Sequence, residues 1–154
     1  MTSHRTSLIL NALGLVLSMG GLFLPWGGQY WPYGIMSVST SSFFGPEFLA
    51  NSFIGFELLA AEIAFVGCVF TAVSLVRKEG SQGRYLDLRL TGGLITLLSS
   101  LLWILFTNAF PVGIFTPNFL SDLPWTALYG AYISLAGAVI TVAISSANRL
   151  SKNN

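Results

Sequence analysis

Charged residues are scarce in this chain, and their scarcity excludes an ordinary soluble domain. Asp, Glu, Lys and Arg make up 8% of the 154 residues, against about a quarter in soluble proteins. Hydrophobic residues make up 53%, and the mean hydropathy is +0.72. With a net charge of +1 and no basic patch, the sequence offers no basis for nucleic-acid binding. We expect a single-domain integral membrane protein.

Histidine and cysteine each occur once, which excludes the usual catalytic and metal-binding constellations. His4 lies in the N-terminal tail, and no histidine lies near Cys68 to activate its thiol. No residues have metal-ligand spacing, and there is no glycine-rich phosphate loop. We therefore expect no catalytic residue, metal or cofactor. The lack of loop cysteines and of Asn-x-Ser/Thr sequons fits a prokaryotic envelope.

Four apolar runs are each near the roughly 20 residues that cross about 30 Å of hydrocarbon. They predict an all-α integral membrane protein folded as a four-transmembrane-helix bundle. The predicted spans are residues 7–25, 52–76, 90–110 and 124–146, joined by loops 26–51, 77–89 and 111–123. The first span lacks a signal-peptide cleavage site, so we interpret it as a retained helix.

All seven basic residues fall on one side of this topology. They occupy the N-terminal tail, the loop 77–89 and the C-terminal tail, whereas the other two loops contain no Lys or Arg. Cytoplasmic segments are enriched in Lys and Arg, so both termini and the loop 77–89 are predicted to be cytoplasmic. The expected location is the plasma membrane.

The two outer loops are long and rich in aromatic residues. Amphipathic aromatic side chains collect at the headgroup level, so these loops are expected to lie on the outer membrane surface or to cap the bundle. The candidate contacts with lipid or partner proteins are Trp26, Tyr30, Trp31, Tyr33 and Trp125. The stretch IMSVSTSS, residues 35–42, alternates partly in a β-prone pattern and predicts an extended segment.

The two halves of the chain have similar Pro- and Phe-containing motifs at the ends of their predicted spans. FFGPEFL precedes the second span and IFTPNFL precedes the fourth, which places Pro46 and Pro117 where a helix can begin. FLPWGG follows the first span and AFPVGI follows the third. A duplicated helical hairpin with parallel repeats would produce this pattern. So would independent recurrence of Pro and Phe at membrane interfaces, and the sequence leaves both interpretations open.

Small residues recur along the spans at intervals of three or four, the pattern that lets membrane helices approach closely. They predict a compact bundle. The residues at this spacing are Gly14, Ser18 and Gly21 in the first span, Ala60, Ala64, Cys68 and Ala72 in the second, and Gly130, Ser134 and Ala138 in the fourth. The third span has Gly92 and Gly93 near its inner end and Ser99 and Ser100 at mid-depth.

Two acids, Glu57 and Glu62, interrupt the second span, and no basic residue lies near them in sequence. Their five-residue separation rotates one from the other by about 140°. Glu57 shares the small-residue face near the outer end, where a hydrogen bond to the outer loop would explain it. Glu62 shares the bulky face near mid-span, where an acid costs on the order of 2.5–3.5 kcal/mol.

Three interpretations of Glu62 follow. It contacts a polar group of a partner protein, it is a protonated bystander because low dielectric disfavours the ion, or it exchanges protons or cations during transport. One acid at the centre of a bulky face favours partner contact.

The layout resembles the double-hairpin proteolipids of rotary ATPases in size, span number and a membrane-embedded glutamate. Those chains carry the acid in the last span, whereas Glu62 is in the second. Small four-span drug exporters carry theirs in the first span, and claudin-type tetraspan proteins have paired loop cysteines that are missing here. These departures assign the chain to none of the three families.

The leading functional hypothesis is a non-enzymatic accessory or structural subunit of a larger membrane complex. It would contact lipid and either other integral membrane subunits or further copies of itself, through the Glu62 face and the aromatic outer loops. The alternative is a small oligomeric proton- or cation-coupled transporter that uses Glu62, with Glu57 as the outer access group. A third hypothesis is a quinone- or lipid-contacting subunit whose partner performs the chemistry.

Overall fold

The four expected helices are present in the computed structural model, which describes residues 4–31, 34–39, 52–76, 82–109, 125–127 and 129–153. They are α1 (His4–Leu22), α2 (Ser52–Val76), α3 (Gln82–Ala109) and α4 (Tyr129–Asn153). Each contains a stretch long and apolar enough to cross a membrane: Arg5–Leu22, Leu59–Val76, Leu88–Thr107 and Tyr129–Ser151. The predicted set of four membrane-spanning helices is confirmed by length and composition.

The second predicted span coincides with α2, whereas the other boundaries differ. Residues 82–89 of the predicted loop 77–89 belong to α3. Helix α4 begins at Tyr129 rather than 124 because a strand precedes it, and it continues to Asn153. Hydropathy marks only the apolar part of a helix, while backbone hydrogen bonding continues into the polar turns at its ends.

The helices form a ring of antiparallel neighbours. Helix α1 packs on α4, α4 on α3 and α3 on α2, and a lighter contact between α2 and α1 closes the ring. Helices α2 and α4 therefore occupy opposite corners. One end of the bundle holds the last residues of α1 and α3 and the first residues of α2 and α4. We call it the sheet end, because the strands lie there.

Every helix carries a glycine followed four residues later by Ser or Thr, and these positions meet within two helix pairs. A Cβ atom added to Gly14 of α1 would lie 2.8 Å from the carbonyl oxygen of Gly137 in α4. One added to Gly67 of α2 would lie 2.6 Å from the carbonyl oxygen of Gly92 in α3. Side chains do not approach backbone so closely, so both pairs depend on glycine.

Buried hydroxyl groups fix the register of the same two pairs. Ser18 Oγ donates a hydrogen bond to the carbonyl oxygen of Ser134 at 3.2 Å. Thr96 Oγ1 donates to the carbonyl oxygen of Ala64 at 3.1 Å. A hydroxyl buried in an apolar bundle needs a partner, so each bond opposes sliding of one helix along the other.

Polar side chains link these pairs again at the end opposite the sheet. Between α1 and α4, Ser145 Oγ donates to Asn11 Oδ1 at 3.2 Å. Between α2 and α3, Arg89 donates from Nε to Ser74 Oγ and from Nη2 to the Ser74 carbonyl oxygen, both at 3.2 Å. The guanidinium thereby binds an orphan carbonyl in the last turn of α2.

Three short strands form a small antiparallel sheet, which an all-α fold does not include. They are β1 (Pro25–Trp31), β2 (Gly34–Ser39) and β3 (Trp125–Ala127), in the order β2-β1-β3. Gln29 of β1 is paired with both Met36 and Trp125. Strand β2 confirms the extended segment expected over 35–42 as far as Ser39. The sheet joins the chain after α1 to the chain before α4.

Two tryptophans attach this sheet to the helices. Trp26 and Trp103 are both 0% exposed. Trp26 Nε1 donates to the carbonyl oxygen of Gly21 at 3.0 Å, and Trp103 Nε1 donates to that of Trp26 at 3.1 Å. Both indole N–H groups are satisfied although the rings are buried. Trp26 is therefore buried in the core, with its indole bonded to α1 and its backbone carbonyl bonded from α3.

We expect Gly67→Ala to lower the free energy of unfolding by about 1–3 kcal/mol, because the added methyl would press on the backbone of α3. Gly20→Ala is the matched control, since no atom lies within 4 Å of its added Cβ. Thermal unfolding in detergent, followed by circular dichroism, measures both. Equal midpoints for the two variants would contradict the close-contact account.

Trp103→Phe should lower the free energy of unfolding by about 1–3 kcal/mol, because it leaves the buried carbonyl of Trp26 without this donor. Leu105→Ala, an exposed position on the same helix, should change stability much less. The same unfolding measurement compares them. A wild-type midpoint for Trp103→Phe would show that the indole does not hold the sheet.

Candidate functional site

Glu62 lies on the outer face of the bundle, with its side chain exposed. Its neighbours on that face are apolar, including Leu59 at 51% and Val66 at 47% exposed. The small residues Ala64 and Cys68 of the same helix are buried, at 0% and 1%. The helical periodicity predicts this division between a bulky face and a small-residue face. We call the exposed face of α2, formed by residues 59, 62, 66, 69 and 73, the Glu62 face.

The depth of Glu62 makes its exposure costly in a membrane. Glu62 lies three residues, about 4.5 Å, inside the apolar stretch Leu59–Val76, and ten residues, about 15 Å, from Ser52 at the start of α2. Within the described part of the chain, Glu62 makes no hydrogen bond or ion pair. In a bilayer that this stretch spans, an exposed acid inside it would contact lipid unless another molecule covered it.

An apolar groove of about 270 Å³ opens between α2 and α3 beside this face. Leu59 and Ile63 line one wall, and Leu98 and Leu102 line the other. The hydroxyl of Ser99, also in the lining, already donates to a backbone carbonyl of α2. The groove therefore offers a surface for apolar side chains or acyl chains, and its walls carry no charged group.

Helix α4 exposes two tyrosines that the sequence analysis did not single out. Tyr129 is 54% exposed and Tyr132 is 46% exposed. Their three-residue spacing puts them on one face, opposite the small residues Ser134 and Ala138, which are buried. That spacing is the sequence signal that would have identified them as outward-facing.

The other predicted site residues are placed only in part. Glu57 lies in α2, but its side chain is outside what the structure describes. Strand pairing brings β1, which contains Tyr30 and Trp31, beside β3, which contains Trp125. Tyr33 lies outside the described residues.

Among the described residues, no group of three or more His, Cys, Asp or Glu could hold a metal ion. Cys68 is buried, and its Sγ lies 3.9 Å from Thr96 Oγ1 between α2 and α3. This contact belongs to the close-packed seam, so the thiol acts there as a small packing group.

The fold and the exposed acid define the class: a multi-pass, four-helix membrane protein with a small sheet at one end. Comparison with protein-family models, with curated proteins and with solved structures finds no match. The function is therefore argued from the geometry of the surface around Glu62.

Glu62→Leu should leave the free energy of unfolding within about 0.5 kcal/mol of wild type in a detergent that keeps the chain monomeric, because Glu62 lacks an internal partner among the described residues. Ser99→Ala is the contrasting variant, since it removes a buried hydrogen bond and should cost about 1 kcal/mol. Chemical unfolding of both variants tests this. A large loss with Glu62→Leu would place a partner for Glu62 inside the chain.

Proposed function

We propose that this protein is a non-enzymatic structural subunit of a membrane protein complex, and that the Glu62 face is its contact surface. The observation that carries the proposal is an exposed carboxyl within a stretch long and apolar enough to cross a membrane, on an otherwise apolar helix face. The aromatic outer loops supply a second contact region with lipid or other subunits.

The energetics favour a protein partner over lipid. An acid exposed to hydrocarbon costs on the order of 2.5–3.5 kcal/mol on insertion scales. A partner helix offsets that cost in two ways, since it excludes lipid and donates a hydrogen bond, worth about 0.6–2 kcal/mol in membranes. Leu59, the valines that follow Glu62 on this face and the neighbouring groove provide the apolar surface for such a helix.

The alternative of a transporter receives less support from the same geometry. Glu62 points outward, while the seams between α1 and α4 and between α2 and α3 bring backbone against backbone. An ion path that used Glu62 would therefore run between chains rather than through one bundle. Transport would then also require assembly through the Glu62 face.

The proposal includes an orientation in the plasma membrane, with the sheet end outside. Arg5, Arg89 and Arg149 lie near the helix ends that are remote from the sheet. An excess of Lys and Arg is typical of cytoplasmic ends, so both chain termini are proposed to be cytoplasmic.

We also infer that the two halves are a duplicated hairpin. The bond from Ser18 to Ser134 has its counterpart in the bond from Thr96 to Ala64. An offset of 78 in residue number relates α1 to α3, and one of 70 relates α2 to α4. The same offsets relate the close-contact glycines, Gly14 to Gly92 and Gly67 to Gly137.

Glu62→Leu should reduce the fraction of chain found in a complex about 10-fold, which corresponds to roughly 1.4 kcal/mol. Glu62→Gln keeps shape and hydrogen-bonding capacity and should assemble nearly as wild type. Val16→Leu, an exposed position on α1, is the control and should have no effect. Native mass spectrometry after mild-detergent extraction measures the distribution of masses.

Proton flux into proteoliposomes separates the two candidate functions. We expect none above the level of empty liposomes for wild type or Glu62→Gln. A wild-type flux that Glu62→Gln abolishes, with assembly intact, would contradict the structural role and establish the transporter.

A further inference from the structure

We propose that a second copy of this chain covers the Glu62 face, and that the Glu62 carboxyl bonds the Tyr132 hydroxyl of that copy. The inference rests on the proposed function, because it takes the Glu62 face to be a contact between proteins. It adds the identity of the partner, the surface the partner presents, and the symmetry of the contact.

Depth is the first requirement that this contact meets. Copies of one membrane protein share an orientation and a depth, so rotation about an axis normal to the membrane brings together residues of equal depth. Helices α2 and α4 run in the same direction, since each is an antiparallel neighbour of α3. A contact between α2 of one copy and α4 of the next is therefore a parallel one.

Contacts with α3 place Glu62 and Tyr132 within about one helical turn of each other in depth. Added Cβ atoms at residues 92–93 of α3 would meet Thr71 of α2 and Thr141 of α4 respectively, so these threonines lie at similar depth. Glu62 precedes Thr71 by nine residues, and Tyr132 precedes Thr141 by nine. Both therefore lie about 14 Å closer to the sheet end than the threonines.

Hydrogen-bonding chemistry is the second requirement. Between the sheet end and the level of those threonines, the exposed side chains that the structure describes are apolar except for Glu62, Tyr129 and Tyr132. A phenol can donate to a carboxylate and can also bond a protonated carboxyl. The acid on one face and the phenols on the other therefore complement each other in either protonation state.

Shape along the two faces is the third requirement. At equal depth, Val66 of α2 lies level with Ala136 of α4, and Val73 lies level with Ala143. All four are exposed, with Val66 at 47% and Val73 at 37%. Val69 and Val139, also exposed, lie level between these pairs, so valines of α2 meet a face on which alanines alternate with a valine. The small alanines let the two helices approach closely, which is how membrane helices associate.

The contact is head-to-tail rather than self-complementary. Two Glu62 faces placed together would oppose two carboxyls, whereas the proposed contact joins unlike faces. Because α2 and α4 occupy opposite corners of the bundle, a contacting pair keeps one unused face of each kind, the α4 face of one copy and the α2 face of the other. Such a heterologous contact repeats and gives a ring or a row of more than two copies.

Cysteine cross-linking in native membranes tests the register. In a Cys68→Ser background, copies carrying Val66→Cys and differently tagged copies carrying Ala136→Cys are co-expressed and oxidised with copper phenanthroline. We expect disulfide-linked pairs that carry both tags, and a ladder beyond the dimer when one chain carries both cysteines. Val66→Cys with Val16→Cys, exposed positions on α2 and α1, is the matched control and should remain unlinked.

The side-chain pair is tested in the same assay. Glu62→Leu and Tyr132→Phe should each reduce the 66-to-136 cross-link several-fold, and the double variant should be no worse than the poorer single variant, because the two residues share one interaction. Glu62→Gln, which can still form a hydrogen bond with the phenol, should retain most of the cross-link that is formed when Glu62 is present. Circular dichroism and expression level confirm that each variant is folded.

The outcomes separate this inference from the proposed function. Cross-links between two copies of Val66→Cys alone, or none at all, would overturn the head-to-tail contact between copies. If Glu62→Leu nevertheless released a different co-purifying subunit, the structural role would stand with another partner. If wild type ran as a single chain in mild detergent and the cysteine variants showed no cross-link, both proposals would fail.

Discussion

The backbone-to-backbone contact between glycine-bearing helices is the constraint on which the rest of this structure depends. Lipid competes with apolar side chains for every helix surface, so membrane helices hold together where small residues allow close approach and hydroxyls reach a neighbouring carbonyl. Gly14 with Gly137, and Gly67 with Gly92, meet these conditions in two antiparallel pairs. The contact between α3 and α4 then joins the pairs into one bundle.

This inward use of the small residues determines what the outside of the bundle presents. Ala64 and Cys68 are buried because they form the seam with α3, and the opposite face of α2 must then expose its valines and Glu62. On α4, Ser134 is buried because it lies in the seam with α1, so Tyr132 on the opposite face is exposed. The sheet adds a link at one end, where β1 pairs with β3 and the buried ring of Trp26 lies against the helices. An unusual acid on the surface is thus a consequence of the internal packing.

Much of the fold is predictable from the sequence, but the candidate site is predictable only in part. The number of spans follows from apolar runs, and the orientation of Glu62 away from Ala64 follows from 100° per residue. Helix ends are less predictable, because Gln82 and Asn153 extend helices into polar turns that hydropathy does not register. The burial of Trp26 has no local signature, since amphipathic rings suit a headgroup layer and a core equally well.

The sequence by itself determined the features that have a local period or composition: four membrane-length helices, a one-sided distribution of basic residues, and the separation of Glu62 from the small-residue face. Only the tertiary structure decided which helices pair, that β1 joins β3, and that Tyr132 lies within about one helical turn of Glu62 in depth. The physical reason is that these relations arise from contacts between residues far apart in the chain. The periodicity of a single helix does not specify the depth at which a neighbouring helix packs against it.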